Sequence, residues 1–69
     1  MSFNYSKLLG RIKEIMGTQE TFAETMMLSE KTVSMKLNNK IAWKQTEILK
    51  ACELLDIPPE DVYLYFFTI

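Results

Sequence analysis

Residues 18–38, with the sequence TQETFAETMMLSEKTVSMKLN, predict two short helices separated by a break of a few residues. Thr18 and Ser29 are suitable N-caps, because a hydroxyl oxygen at this position accepts a hydrogen bond from a free N–H group of the first helical turn. Apolar residues at helical spacing would face the core: Phe22, Ala23, Met26, Leu28, Val33 and Leu37. The first helix is therefore expected over residues 19–26 and the second over residues 30–38.

Two short helices joined in this way form a helix-turn-helix, whose second helix enters the major groove of DNA. Ala23 supplies the small side chain that is needed where the two helices cross closely. The face of the second helix opposite Val33 and Leu37 would be left exposed. On a helical wheel this face carries Lys31, Ser34, Met35 and Asn38. An exposed helix of this width fits the major groove.

The rest of the chain continues the helical periodicity on both sides of this motif. Apolar residues at positions 8, 9, 12, 15 and 16 predict a helix that ends at Gly17. Residues 44–55 predict a fourth helix, and Pro59 opens a short fifth one. Residues 62–69 are almost all apolar, so helix and strand remain alternatives there. Five short helices predict an all-α bundle and a single domain over residues 1–69.

The composition argues against several classes of function. The chain of 69 residues has one cysteine and no histidine, which removes disulfides, the usual zinc clusters and the commonest general base. It has no glycine-rich phosphate loop, and no apolar run approaches the roughly 18 residues of a membrane span. We therefore expect a protein that is not an enzyme, with no cofactor, no metal, no evident small-molecule ligand and no membrane association.

The charges are unevenly distributed along the chain, although the net charge is only −1. All eight basic residues lie between Lys7 and Lys50, and residues 1–52 carry eight bases against five acids. Residues 53–69 carry four acids and no base. Between Lys31 and Lys44 there are four lysines and no acid. A positive surface on this part of the chain would suit nucleic acid in spite of the slightly acidic total.

The segments TQETFAE at residues 18–24 and LSEKTVS at residues 28–34 resemble the Cro/C1-type (xenobiotic-response-element) helix-turn-helix family. Residues 34–40, together with EILK and LDI further along the chain, resemble small Cro-like repressors of phages and prophages of Gram-positive bacteria. The resemblance implies a five-helix, lambda-repressor-like DNA-binding bundle. It also implies a transcriptional repressor that acts in the cytoplasm of a bacterial host cell and binds a palindromic double-stranded DNA operator as a homodimer.

The same resemblance assigns roles to individual residues. The base-reading positions of the second helix are Glu30, Lys31, Ser34 and Met35. The positions that contact the DNA backbone are Gln19, Asn38, Asn39, Lys40, Trp43 and Lys44. Trp43 would cover apolar surface while its indole N–H reaches a phosphate. Two of these residues have structural alternatives, because Met35 would also serve as core filler and Glu30 would favour the positive end of the helix dipole.

The C-terminal tail, residues 62–69, has two interpretations. Phe66 would fold back to complete the small core, or the tail would pair with a second copy and build a dimer. A combination is favoured, since palindromic operators are bound by two-fold dimers. The predicted dimer interface comprises Tyr65, Phe66, Phe67 and Ile69.

Two positions depart from the family pattern. Met27 stands where the family usually has glycine in the turn, and a left-handed conformation there would cost roughly 1 kcal/mol or more. This predicts a reshaped turn. Lys36 stands three positions after Val33, where the family often has an apolar residue. Leu37 is expected to replace it in the core, which would rotate the second helix slightly.

Two further functions remain alternatives to a repressor. An antitoxin would bind DNA and also wrap a toxin, usually with an additional disordered tail. A protein-interaction module would keep the helical bundle without binding DNA, and the acidic C-terminal segment is compatible with it. An enzyme fits least well, because no nucleophile and base are paired at a clear site.

Overall fold

The computed structural model describes residues 2–69 and contains five α-helices. Their bounds are α1 Ser6–Met16, α2 Gln19–Met26, α3 Glu30–Leu37, α4 Gln45–Leu54 and α5 Val62–Phe66, and the 3₁₀ turn Pro59–Asp61 leads directly into α5. Residues 2–69 contain no strand, so the predicted all-α fold is confirmed. None of these helices is long and apolar enough to cross a membrane.

The end of α1 depends on a glycine. Gly17 has a φ of 85°, a left-handed conformation that a residue with a side chain adopts only at a cost. Its N–H donates to the carbonyl of Lys13 at 3.0 Å and closes the last turn. The next residue, Thr18, caps α2. The chain therefore reverses between α1 and α2 within two residues, which brings the two helices into contact.

Every helix contributes one to three buried apolar residues to the core, and Tyr5, Leu55 and Ile57 add to it from outside the helices. The largest fully buried side chains are Phe22, Phe66, Leu8, Ile12, Leu55 and Val33. Ala23 and Ala51 are also buried, at positions where α2 and α4 pack closely against their neighbours. A chain of this size buries a limited area, so each of these side chains contributes a large share of the stability.

The C-terminal tail is helical and completes the core. Phe66 is only 1% exposed, and its ring lies edge-on to Trp43 at a centroid distance of 5.4 Å. The inclusion of Phe66 in a dimer interface is therefore wrong, because the bundle needs this ring to fill its own interior. Tyr65 is half-buried beneath the ammonium of Lys7, whereas Ile69 is exposed.

The two ends of the described chain are joined by hydrogen bonds. The Asn4 N–H donates to the carbonyl of Thr68 at 2.6 Å. The Asn39 side chain accepts from the Phe3 N–H and donates to the Phe3 carbonyl, both at 2.9 Å. The rings of Phe3 and Phe67 meet edge to face at 5.9 Å. The segment before α1 is thus held between the loop after α3 and the C-terminal tail.

Candidate nucleic-acid interface

Two capped helices and a short turn occupy residues 18–37, where the sequence predicts the helix-turn-helix. The Thr18 hydroxyl accepts from the Thr21 N–H at 3.0 Å at the start of α2, and the Ser29 hydroxyl accepts from the Thr32 N–H at 3.0 Å at the start of α3. The bounds of α2 agree with the prediction, and α3 ends one residue earlier than predicted. Both helix starts follow from the preference of hydroxyl side chains for N-cap positions.

The turn between α2 and α3 keeps the left-handed conformation in spite of its methionine. Met27 has φ 61° and ψ 37°, so the prediction of a reshaped turn is wrong. The Met27 N–H donates to the carbonyl of Glu24 at 3.0 Å and the Leu28 N–H to that of Ala23 at 2.9 Å, and these bonds fix the end of α2. The Met27 side chain is 84% exposed. The Met27 side chain therefore makes little packing contact that would offset the backbone strain.

Replacing Met27 with glycine is expected to raise the free energy of unfolding by about 0.5–1 kcal/mol, because glycine adopts the left-handed conformation without strain. Part of the gain is offset by the larger conformational freedom of glycine in the unfolded chain. Urea unfolding followed by circular dichroism measures the change. Met27→Ala is the matched control, since it removes the same exposed side chain but keeps the strain. An equal stabilisation by both variants would show that strain is not the cause.

The four predicted base-reading residues lie on α3 with unequal exposure. Glu30 and Lys31 are exposed in the first turn, and Ser34 and Met35 are half-buried. The Met35 carbonyl accepts the N–H of Lys40 at 2.8 Å as the chain leaves the helix. The N-terminal half of α3 is therefore its most accessible part, and Glu30 occupies the position that also favours the helix dipole.

The loop after α3 contains most of the predicted backbone contacts, and the structure gives two of them another role. The Asn38 side chain donates to the Ser34 carbonyl at 2.7 Å and caps the end of α3. The Asn39 side chain is fully engaged with the Phe3 backbone. Asn39 also has a φ of 62°. These asparagines shape the loop, while Lys40 and Lys44 remain exposed.

The assignment of Trp43 as a phosphate contact is wrong. The indole Nε1 is buried and has no hydrogen-bond partner among residues 2–69. Its ring system is surrounded by the rings of Tyr5, Phe22 and Phe66, at centroid distances of 6.4, 6.5 and 5.4 Å. A buried N–H cannot reach a phosphate on the surface. Trp43 instead anchors the start of α4 in the core.

A buried ion pair fixes α3 against the start of α4, and it was not predicted from the sequence. Lys36 is 2% exposed, and its Nζ lies 2.8 Å from the Glu47 carboxylate. The same ammonium donates to the Ala42 carbonyl at 2.9 Å. Lys36 thus occupies the inward position three after Val33. The predicted rotation of the recognition helix is therefore wrong, although Leu37 also packs against the core.

Glu47 connects this pair to the first turn of α4. Its Oε1 accepts the Lys44 N–H at 2.8 Å, which satisfies a donor at the helix start. Burial by itself would raise the pKa of Glu47, but the hydrogen bonds from Lys36 and from the Lys44 backbone, with the charges of both lysines, outweigh burial and lower it. Glu47 is therefore ionised at neutral pH and holds the loop that carries Lys40 and Lys44.

Acidification is expected to destabilise the protein through Glu47. Because the pKa of this carboxyl is lower in the folded chain than its ordinary value of 4.5, its stabilising contribution is complete above that value and is lost as the pH falls through the folded pKa. Urea unfolding at about pH 6 and about pH 3 measures the loss. The variant Glu47→Gln should lose less stability between these conditions than the unmodified protein, and an equal loss would contradict the assignment.

Three exposed lysines lie in the first turn of α3 and in the segment between α3 and α4. Lys31 is in its first turn, and Lys40 and Lys44 follow its C-terminal end. None of these three lysines forms an ion pair within residues 2–69. Gln19 is half-buried at the first position of α2, where free N–H groups are available to an anion. The described surface therefore presents cations at the exposed first turn of α3 and in the segment that follows this helix.

A protein-family model described as "Protein of unknown function (DUF739)" matches residues 1–69. The chain belongs to the DUF739 family. A solved structure similar to this DUF739 protein is the solution structure of the modulator of repression (MOR) of the temperate bacteriophage TP901-1 from Lactococcus lactis. The two chains are 57% identical, the match covers 97% of this chain and 90% of that one, and the TM-score is 0.84. The comparison with curated proteins found no match.

These matches confirm part of the resemblance drawn from the sequence. The similar protein comes from a phage of a Gram-positive bacterium and shares the all-helical fold. The matching family is DUF739, so membership of the Cro/C1-type family stays a prediction. The description of the DUF739 family names neither an activity nor functional residues.

Proposed function

We propose that this DUF739 protein is a phage regulatory protein that modulates repression by binding operator DNA through its helix-turn-helix. The proposal rests on the exposed first turn of α3, with unpaired lysines in that turn and in the segment between α3 and α4. Cations in this arrangement suit a helix that enters the major groove between two phosphate backbones. The similarity to a phage modulator of repression supports the regulatory role.

In this proposal the residues divide into readers of bases and binders of phosphate. Lys31 would donate to guanine O6 and N7 in the major groove, and Glu30 would accept from cytosine N4. Ser34 and Met35 would add contacts to the extent that their half-buried side chains allow. Lys40 and Lys44, together with the N-terminus of α2 at Gln19, would hold the backbone and set the register of α3 on the duplex.

Dimer formation belongs to the same proposal. Although Phe66 is buried in the core, the C-terminal tail has other apolar side chains that are exposed: Tyr63, Leu64, Phe67 and Ile69. Two copies that pair through this face would bind a palindromic operator with two recognition helices. Repression would follow where the bound dimer occupies a promoter.

Selection of bound duplexes from a random DNA pool at about 150 mM salt tests the proposal, because this salt concentration suppresses non-specific phosphate binding. An enriched palindrome with half-sites about one helical turn apart would support DNA reading by a dimer. An enriched single half-site would support DNA reading and contradict the dimer. No enrichment by a protein that is folded by circular dichroism would overturn the DNA-binding proposal.

A protein-interaction module is the second candidate function. It is favoured by the acidic segment from Glu53 to Asp61, which contains four acids and no base and would be repelled by phosphate. It is also compatible with a modulator that acts on a repressor protein. Failure of the selection experiment would leave this candidate as the better one.

A further inference from the structure

A groove with an apolar floor and acidic sides lies between α4 and the residues that follow it. We name it the acidic groove, and it is lined by Leu49, Cys52, Glu53, Asp56, Ile57 and the prolines at 58 and 59. It is a shallow depression, open to solvent, with a volume of about 640 Å³. Leu49 is 66% exposed in the middle of an α-helix. The groove shares no residue with the candidate DNA interface.

The wall of the groove is held in place by a hydrogen bond between two of its own residues and by hydrogen bonds from α1. The Ile57 N–H donates to the Cys52 carbonyl at 2.9 Å. Arg11 of α1 donates to the carbonyls of Leu55 at 2.8 Å and Asp56 at 3.2 Å. The two prolines restrict the backbone further. A partner would therefore bind a preformed surface, and little conformational entropy would be lost on the protein side.

The charge of the groove defines the chemistry of its occupant. The carboxylates of Glu53 and Asp56 form no ion pair and accept no hydrogen bond from any residue in the range 2–69. The segment that contains both carboxylates, residues 53–61, has four acids and no base. Like charge repels nucleic acid and anionic lipid from this surface. A cationic segment with an apolar side chain complements both features.

We propose that the acidic groove docks a segment of a partner protein in which one apolar side chain lies between lysine or arginine residues. The apolar side chain would cover Leu49 and the exposed prolines at 58 and 59. The basic residues would pair with Glu53 and Asp56 at the sides. Because the groove and α3 are built from different residues, a partner bound here leaves Lys31, Lys40 and Lys44 free.

The test is an NMR titration of the ¹⁵N-labelled full chain with an amidated peptide that has a central leucine flanked on each side by lysines. Shifts are expected to concentrate at residues 49–59. Leu49→Gln and Glu53→Lys should each weaken binding of this peptide by about tenfold or more. Both positions are on the surface of α4, and circular dichroism confirms that each variant is folded.

Two matched controls separate the groove from non-specific effects. Ile15→Gln removes an exposed apolar side chain, 44% exposed, from α1, and Glu20→Lys reverses an exposed acid on α2. Neither should weaken binding by more than about twofold. Equal weakening by Glu20→Lys, shifts outside residues 49–59, or no binding of the peptide would overturn the proposal. Self-association of the free chain that Leu49→Gln abolishes would also overturn it, because a second copy would then be the occupant.

Discussion

Glu47→Gln is expected to lower the free energy of unfolding by about 3 kcal/mol, because it leaves the Lys36 ammonium in the interior without its counter-charge. Lys36 is almost completely buried, and Glu47 is the only carboxylate within ion-pair distance of it among residues 2–69. Since a domain of this length has a total stability of roughly 3–10 kcal/mol, the loss would be visible in a urea or thermal unfolding curve.

The surface pair of Arg11 and Glu14 provides the control. Its two atoms are also 2.8 Å apart, but the Glu14 side chain is exposed, so Glu14→Gln should cost at most about 0.5 kcal/mol. The double variant Lys36→Met with Glu47→Gln should recover most of the stability, because it removes the unpaired charge. An equally small effect of both glutamine variants would show that the Lys36 ammonium does not depend on Glu47.

The double variant Lys31→Glu with Lys44→Glu is expected to weaken binding to a selected operator by about 30- to 1,000-fold, which corresponds to about 2–4 kcal/mol. One substitution removes a base or phosphate contact on α3, and the other removes a phosphate contact at the start of α4. Both add negative charge where the proposed complex needs positive charge. Fluorescence anisotropy at about 150 mM salt measures the affinity.

A second double variant, Lys7→Glu with Lys13→Glu, changes the net charge by the same amount on α1. If only the total charge matters, the two double variants will lose affinity equally, and the assignment of the interface to α3 and its flanks will be wrong. A much smaller loss from the α1 variant would support that assignment. The slope of affinity against salt concentration should also fall only for the α3 variant.

Most of the helical framework follows from local chemistry. Thr18, Ser29 and Gly17 set the helix boundaries through hydrogen bonds to residues at most four positions away. Periodic apolar residues then determine which side of each helix is buried. The predicted bounds of α2, α3 and α4 therefore agree with the structure to within one residue.

Most of the corrections concern contacts between distant parts of the chain. Lys36 is stabilised in the interior by Glu47, eleven positions further along, and an isolated lysine gives no sign that such a partner exists. Asn39 is paired with Phe3 across 36 positions. The indole Nε1 of Trp43 is buried, and three other aromatic rings surround the Trp43 ring system. Each of these outcomes depends on tertiary packing that a pattern along one helix does not contain.

The candidate site was only partly predictable for the same reason. The exposed positions of Glu30 and Lys31 follow from helical periodicity, since they lie opposite Val33. The partial burial of Ser34 and Met35 comes from the loop that folds back beside them. The acidic groove is formed by α4 and the segment after it, so the charge imbalance of the sequence indicated its acidic character but not its shape.

The hydrogen bond between Asn4 and Thr68 has a practical consequence for protein engineering. Because these residues are neighbours in space, a short linker could join the two ends, and a circularly permuted chain opened in another exposed loop should keep the same helices. The same geometry places any affinity tag or fusion partner close to the Phe3–Asn39 contact. Binding assays on tagged material would therefore probe a protein whose tag lies beside the loop that follows α3.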